Sequence, residues 1–203
     1  MAVYKLSGTS VKNGRTEYSS FLAGNPAVVF ATYESIATVT VGSGGAANVE
    51  FTSIPATYTH LQVRGIARTA KASAPDVLRI RFNSDTGNNY ARHLLYGDGT
   101  SALAAGAGSG NLMSLGTIGA NNSTADAFSG HIIDVLDYKD TNKYKTLRAL
   151  NGFSNNTSSN EEISLTSGLW QNTNAITSIL IFADSASNLS QYTQFALYGI
   201  KGS

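Results

Sequence analysis

No cysteine occurs in this 203-residue chain. That excludes disulfide staples and any metal centre built on thiolates. Charge is also thin. Lys and Arg number 14 against 13 Asp and Glu, a formal net charge of +1. A nucleic-acid binder carries a basic excess, so no nucleic-acid partner is expected. Charged residues make up 13% of the chain, about half the share of an ordinary globular protein. Ser, Thr, Asn and Gly supply the polarity instead. Such neutral groups meet a neighbour without a large desolvation cost, which suits extracellular or assembled proteins.

No apolar run approaches the roughly 18 residues of a spanning helix, so membrane insertion is not expected. The N-terminus lacks the basic start and apolar core of a signal peptide. Synthesis in the cytoplasm without a signal peptide is therefore expected, with lysis or a carrier bringing the protein outside. Heptads and internal repeats are missing too, which leaves no material for a fibre shaft. The length fits one sizeable domain with room for an arm, and such a chain buries a core without staples.

What is present is strand pattern. In residues 77–82, Leu78, Ile80 and Phe82 alternate with Arg79 and Arg81. A strand turns successive side chains to opposite faces, so the apolar three face a core and the arginines face out. Residues 83–89, an Asn/Asp/Gly run, form a turn, and a second strand follows over 90–96. Strand, polar turn and strand then recur in varied form. Further strands are expected over 35–41, 49–54, 60–68, 163–170, 175–183 and 194–201. The runs 128–138 and 144–153 flank a hairpin turn, 139–143. The small-residue stretch 97–122 reads as a loop holding one short strand, and 155–162 as an exposed polar loop. About nine or ten strands and no helix predict an all-β fold, a two-sheet antiparallel β-sandwich or a barrel.

Residues 1–32 are too short to enclose a core. They carry one short strand pattern, an Asn13-Gly14 turn signal and a Gly24-Asn25-Pro26 breaker. An extended N-terminal arm that docks on a neighbour by strand addition, an extra strand of the same domain, and a leader all fit. The expected organisation is an arm over 1–32 and a sandwich domain over 33–203.

Chemistry-bearing residues are scattered. His60, His93 and His131 fall on separate strand-like segments, without metal-ligand spacing. Asp134, Asp137 and Asp140, with Asn142, could offer oxygens to Ca²⁺, but their spacing is not that of a calcium loop; a solvated hairpin accounts for them. Asp85 and Asp98 sit beside glycines, where a turn role suffices. Gly106-Ala107-Gly108-Ser109-Gly110 lacks the spacing and the helix of a phosphate loop. No serine sits in a nucleophile elbow. Glu161 and Glu162 are adjacent, so on a strand they would point to opposite faces, unlike a glycosidase pair. Trp170, Tyr58, Tyr90, Tyr96, Tyr138 and Tyr144 could form a sugar-stacking platform or pack as ordinary sheet aromatics. No catalytic, cofactor-binding or metal residue is assigned, and neither an enzyme nor a cofactor is expected.

Several motifs carry a resemblance. They are Tyr33-Glu34-Ser35-Ile36-Ala37-Thr38-Val39, Ser53-Ile54-Pro55-Ala56-Thr57-Tyr58-Thr59-His60-Leu61-Gln62-Val63-Arg64, Arg81-Phe82-Asn83-Ser84-Asp85-Thr86-Gly87-Asn88-Asn89-Tyr90, Leu94 with Tyr96-Gly97-Asp98-Gly99, and Phe195-Ala196-Leu197-Tyr198-Gly199-Ile200-Lys201. Together they make residues 33–203 resemble a family of small structural proteins of tailed bacteriophages, frequent among marine and cyanobacterial phages. The resemblance implies a jelly-roll-like β-sandwich on the virion exterior, with other virion proteins as partners and a homo-oligomer, a trimer among the options. It brings no catalytic motif. Two placements follow. One is a capsid decoration or cement protein, held by the arm. The other is a tail fibre or tail-tip component that meets the host surface, with glycan as a ligand.

Overall fold

The computed structural model describes residues 32–73, 75–155 and 161–201. The expected arm therefore lies outside the described residues, apart from Thr32. Among the described residues there are twelve strands and no helix. They are β1 (Tyr33–Thr40), β2 (Asn48–Phe51), β3 (His60–Ala67), β4 (Asp76–Phe82), β5 (Tyr90–Gly97), β6 (Ala102–Gly110), β7 (Met113–Ile118), β8 (Ser129–Leu136), β9 (Lys145–Phe153), β10 (Glu162–Trp170), β11 (Ile179–Ala183) and β12 (Gln194–Ile200). They form an eight-stranded sheet, β1-β12-β3-β8-β9-β10-β5-β6, packed on a four-stranded one, β2-β11-β4-β7. The fold is an antiparallel two-sheet β-sandwich, as the strand pattern predicted.

The pairing is nested. β4 pairs β7, β3 pairs β8, β2 pairs β11 and β1 pairs β12, all antiparallel. One long hairpin is thus rolled so that its strand pairs fall alternately in the two sheets, which is the jelly-roll winding. Two hairpins interrupt it, β5–β6 and β9–β10. Both add to the free side of β8 and widen that sheet to eight strands.

Strand alternation supplies the core. Along β9 every second residue is buried, from Lys145 to Phe153. Leu78, Ile80 and Phe82 of β4 are buried as expected. Arg79 points outward and forms a two-pronged ion pair with Asp184, at 2.9 and 3.0 Å. Arg81 lies over the Phe182 ring, 5.0 Å from its centre. Leu61, Val63, Ile133, Val135, Leu147, Ile179, Ile181 and Leu197 join them in one cluster.

Four expectations need correction. There are more strands than nine or ten. Residues 97–122 hold two strands, β6 and β7, in place of a loop with one; the short side chains of Ala and Gly hide a strand from propensity reading. The strand expected over 175–183 begins only at Ile179, because Ile176 and Thr177 bond to loops: Ile176 N–H donates to the Tyr138 carbonyl and Thr177 N–H to Asn83 Oδ1, both at 2.8 Å. Glu162 belongs to β10, while 156–160 of the expected polar loop lie outside the described residues.

The segment 77–96 is not a hairpin. β4 belongs to the four-stranded sheet and β5 to the eight-stranded one, so the polar turn is a corner between layers. Asp85 holds it. Its carboxylate accepts from Gly87 N–H, Asn89 Nδ2 and, across the fold, Trp170 Nε1, each at 2.8 Å. Burial alone would raise the Asp85 carboxyl, but these donors outweigh it and hold the group below its usual range.

Candidate functional site

The residues singled out for chemistry do not converge. His60 accepts the Asp137 N–H at its Nδ1, 2.9 Å away. His93 is exposed on β5, and His131 is buried on β8. No group of three or more His, Cys, Asp or Glu is placed to hold a metal among the described residues. Around the β8–β9 turn, the Lys143 ammonium already sits by the carboxylates, 2.7 Å from Asp137 and 3.5 Å from Asp140. Asp134 instead pairs with Arg148 on the sheet at 2.8 Å. Asp98 caps the β5–β6 turn through Thr100 Oγ1 at 2.7 Å and the Ser101 and Thr100 N–H groups at 2.8 and 2.9 Å, which pull its carboxyl down to about 2. The Gly106–Gly110 run lies within β6.

The aromatic platform does not form. Trp170, Tyr90, Tyr138 and Tyr58 are buried, whereas Tyr144 is exposed in the β8–β9 turn and Tyr96 lies on β5. The buried rings turn their polar ends to protein partners. Tyr58 Oη donates to Glu34 at 3.0 Å, and Tyr138 Oη donates to the Pro55 carbonyl. The sandwich needs these rings for its volume. Gly199 shows how closely, since a methyl group there would run into the Tyr58 ring. Glu161 and Glu162 line one shallow depression of about 730 Å³ together with Asp98 and Asp126, and Glu161 accepts from Ser154 Oγ at 2.8 Å.

One pair escaped the sequence reading. Ser129 Oγ stands 2.8 Å from His131 Nε2, and His131 Nδ1 is 3.2 Å from the Leu115 carbonyl. Nδ1–H donating to that carbonyl leaves Nε2 unprotonated beside the serine oxygen, whose hydroxyl also reaches the Ala67 carbonyl at 3.0 Å. The spacing of two residues on one strand was the available signal, since i and i+2 share a face. The geometry is that of a nucleophile and a base, but both side chains are sealed between the sheets, Ser129 at 0% and His131 at 3% exposed. Their role is structural. Burial pushes the His131 imidazole down to about 4, against a smaller raising effect of the Leu115 carbonyl. The unfolded chain takes up this proton near pH 6.5, and the folded one does so only near 4. Stability attributable to His131 is therefore lost as pH falls from about 6.5 to 4, at about 1.4 kcal/mol per pH unit. Urea midpoints across this range should fall more steeply for the native protein than for His131→Gln; parallel slopes would show that the imidazole titrates freely.

The surface with an organised pattern is the outer face of the eight-stranded sheet. Cross-strand register lines its side chains into rows. One row is apolar: Ile132, Leu150, Leu165, Leu95 and Ala104 are direct neighbours from β8 through β6. Leu95 is 55% exposed, and Leu150 and Leu165 are exposed as well. Beside it runs a row in which Gly130 and Gly152 are neighbours, between Ile66 and the 61% exposed Ile163. These glycines floor a groove of about 610 Å³ edged by Arg64, Leu150 and Tyr198. On the other side is a polar ladder. Tyr33 Oη donates to Gln62 Oε1 at 2.7 Å, Gln62 Nε2 to Asp134 Oδ1 at 2.7 Å, and Arg148 Nη2 to Asp134 Oδ2 at 2.8 Å. Tyr33 stacks on Tyr198 with ring centres 4.7 Å apart. Partial burial raises the Tyr33 hydroxyl pKa, with Arg64 working against it.

This combination defines a class: an antiparallel jelly-roll sandwich whose widened sheet turns a broad, mixed apolar and hydrogen-bonding face to solvent. Comparison with known protein families, with curated proteins and with solved structures finds no match.

Proposed function

We propose that this chain is a non-enzymatic structural protein of a tailed-phage virion, a capsid decoration or cement protein attached through residues 1–32 with the sandwich outward. The observation that carries the reading is the outer face of the eight-stranded sheet. It is wide and shallow, and its exposed Leu95, Leu150, Ile163 and Leu165 form a patch of the kind that marks an interaction surface. A low-charge surface rich in neutral polar groups lowers the cost of desolvation where copies pack repetitively. The resemblance of the motifs along 33–203 to structural proteins of tailed phages supports the same reading. The tail reading, with glycan as ligand, loses the platform first expected, since Trp170, Tyr58, Tyr90 and Tyr138 are buried, and keeps the exposed rings of Tyr33, Tyr144 and Tyr192.

The test is binding of the full chain, and of a chain lacking residues 1–32, to capsids stripped of accessory proteins. Saturation of regular shell sites by the full chain alone is expected. Binding of neither to shells, with binding of the full chain to tails or host cells, would move the protein to the tail.

A further inference from the structure

We infer that β6 is a pairing edge, through which two copies of this chain join antiparallel about a two-fold axis. The four sheet edges among the described residues differ. A strand edge offers unpaired N–H and C=O groups to any other chain, and proteins blunt it with charge, bulges, shortness or cover. β2 is four residues long and carries Glu50. All six residues of β7 are buried. β1 is broken by a bulge between Ser35 and Ala37, and its Glu34 is tied to Lys201 at 2.5 Å and Tyr58 at 3.0 Å.

Among the described residues β6 lacks charge, shortness and cover, and its one bulge lies at its far end. It is nine residues long and uncharged, Ala-Leu-Ala-Ala-Gly-Ala-Gly-Ser-Gly, and its first eight residues are exposed. Its irregularity is confined to the far end, opposite Tyr90 and Arg92, so 102–107 run straight beside β5. Among the described residues β5 is its one hydrogen-bonded neighbour. The hairpin is also held ready, since Asp98 caps its turn. The edge is thus presented already ordered, which reduces the entropy lost on pairing.

A second copy is the occupant that fits. At a two-fold edge each residue near the axis meets itself or a close neighbour, so any charge there would face its own sign. A strand of Ala, Gly and Ser has no such penalty, and its small side chains allow close approach on both faces. With the axis at Ala104, pairing also carries the exposed row Ile132–Leu150–Leu165–Leu95–Ala104 into the same row of the second copy, making one continuous apolar surface across the axis. This two-fold contact is independent of the virion reading and concerns the isolated protein.

Two measurements on the full 203-residue chain test it. The first is sedimentation over a concentration series for the native chain and Ala105→Lys. Residue 105 is exposed, so a lysine there is tolerated by the monomer but sets like charges against each other across the axis. Dimerisation of the native chain, weakened about tenfold or more in Ala105→Lys, is expected. The second is a scan of single cysteines at 103–107 under mild oxidation, in a chain with no other thiol. Only a residue at the axis brings its Cβ within reach of its own mate, so disulfide formation should peak at one position and be weak at the exposed control Thr141→Cys. A native chain that stays monomeric, an oligomer of any order untouched by Ala105→Lys, or a flat cysteine profile would each overturn the inference.

Discussion

Truncation of Trp170 to alanine is expected to lower the unfolding free energy by about 3–5 kcal/mol, the range for deleting a large buried aromatic. Trp170 ends β10 at 1% exposure. Its ring meets Phe82 at 5.7 Å and stacks near Tyr90 at 6.5 Å, so it touches both strands that flank the corner between the sheets. Its Nε1–H is one of the donors to Asp85. Packing and hydrogen bond separate experimentally. Trp170→Phe keeps most of the volume and removes the donor, so it should cost about 1.5–3 kcal/mol, the worth of a hydrogen bond to a charged group. Urea denaturation gives both values. Equal losses in the two variants would mean that the bond to Asp85, and not the packing, dominates. A loss below about 1 kcal/mol in the alanine variant would contradict the corner's part in the fold.

The second large effect is expected at Lys145. Its side chain is fully buried at the start of β9, and its ammonium donates to the carbonyls of Asp140, Lys143 and Thr173 at 2.5, 2.8 and 3.0 Å. Three donors meet three acceptors, so the group closes the β8–β9 turn and ties it to the connection after β10. Burial lowers its pKa, opposed by the nearby Asp140 and Asp137. Lys145→Met preserves length and apolar contact but strands three carbonyls, at about 1–3 kcal/mol for each one left without a partner. A net loss of about 3–5 kcal/mol is expected, with faster hydrogen exchange in residues 139–144. A methionine variant as stable as the native protein would show that water reaches these carbonyls.

Much of the fold was legible because alternation is local. The inward Leu78, Ile80 and Phe82 and the outward Arg79 and Arg81 are visible in five consecutive letters, as is the β8–β9 hairpin around 139–143. What decides the winding is not local. Whether the turn at 83–89 returns to the same sheet or crosses depends on Asp85 meeting Trp170, 85 residues further on. The nested pairs β1–β12 and β2–β11 join chain ends that no short window contains. β7 shows no alternation because both of its faces are covered: Ser114 and Thr117 are buried along with Met113, Leu115 and Ile118, and the Thr117 carbonyl accepts from the buried Asn151 at 3.0 Å. Gly116 there has φ of +100°, and a side chain at that position would collide with Asn151.

The candidate surface was less legible for the same reason. Leu95, Ile132, Leu150 and Leu165 stand on four strands, and each reads singly as an ordinary strand residue. Only the register places them side by side. The aromatics were open to two readings, a stacking platform and ordinary sheet packing. Packing holds for Tyr58, Tyr138 and Trp170, whose polar ends go to the partly buried Glu34, Pro55 and Asp85 at the rim of the sandwich.

We propose that this chain is a virion part placed on the capsid. Its most direct test is the copy number of the chain in purified, infectious particles, measured by quantitative mass spectrometry against the major shell protein. A number approaching that of the shell protein is expected. A few copies per particle would place the chain on the tail, and its absence from purified particles would contradict the virion assignment altogether.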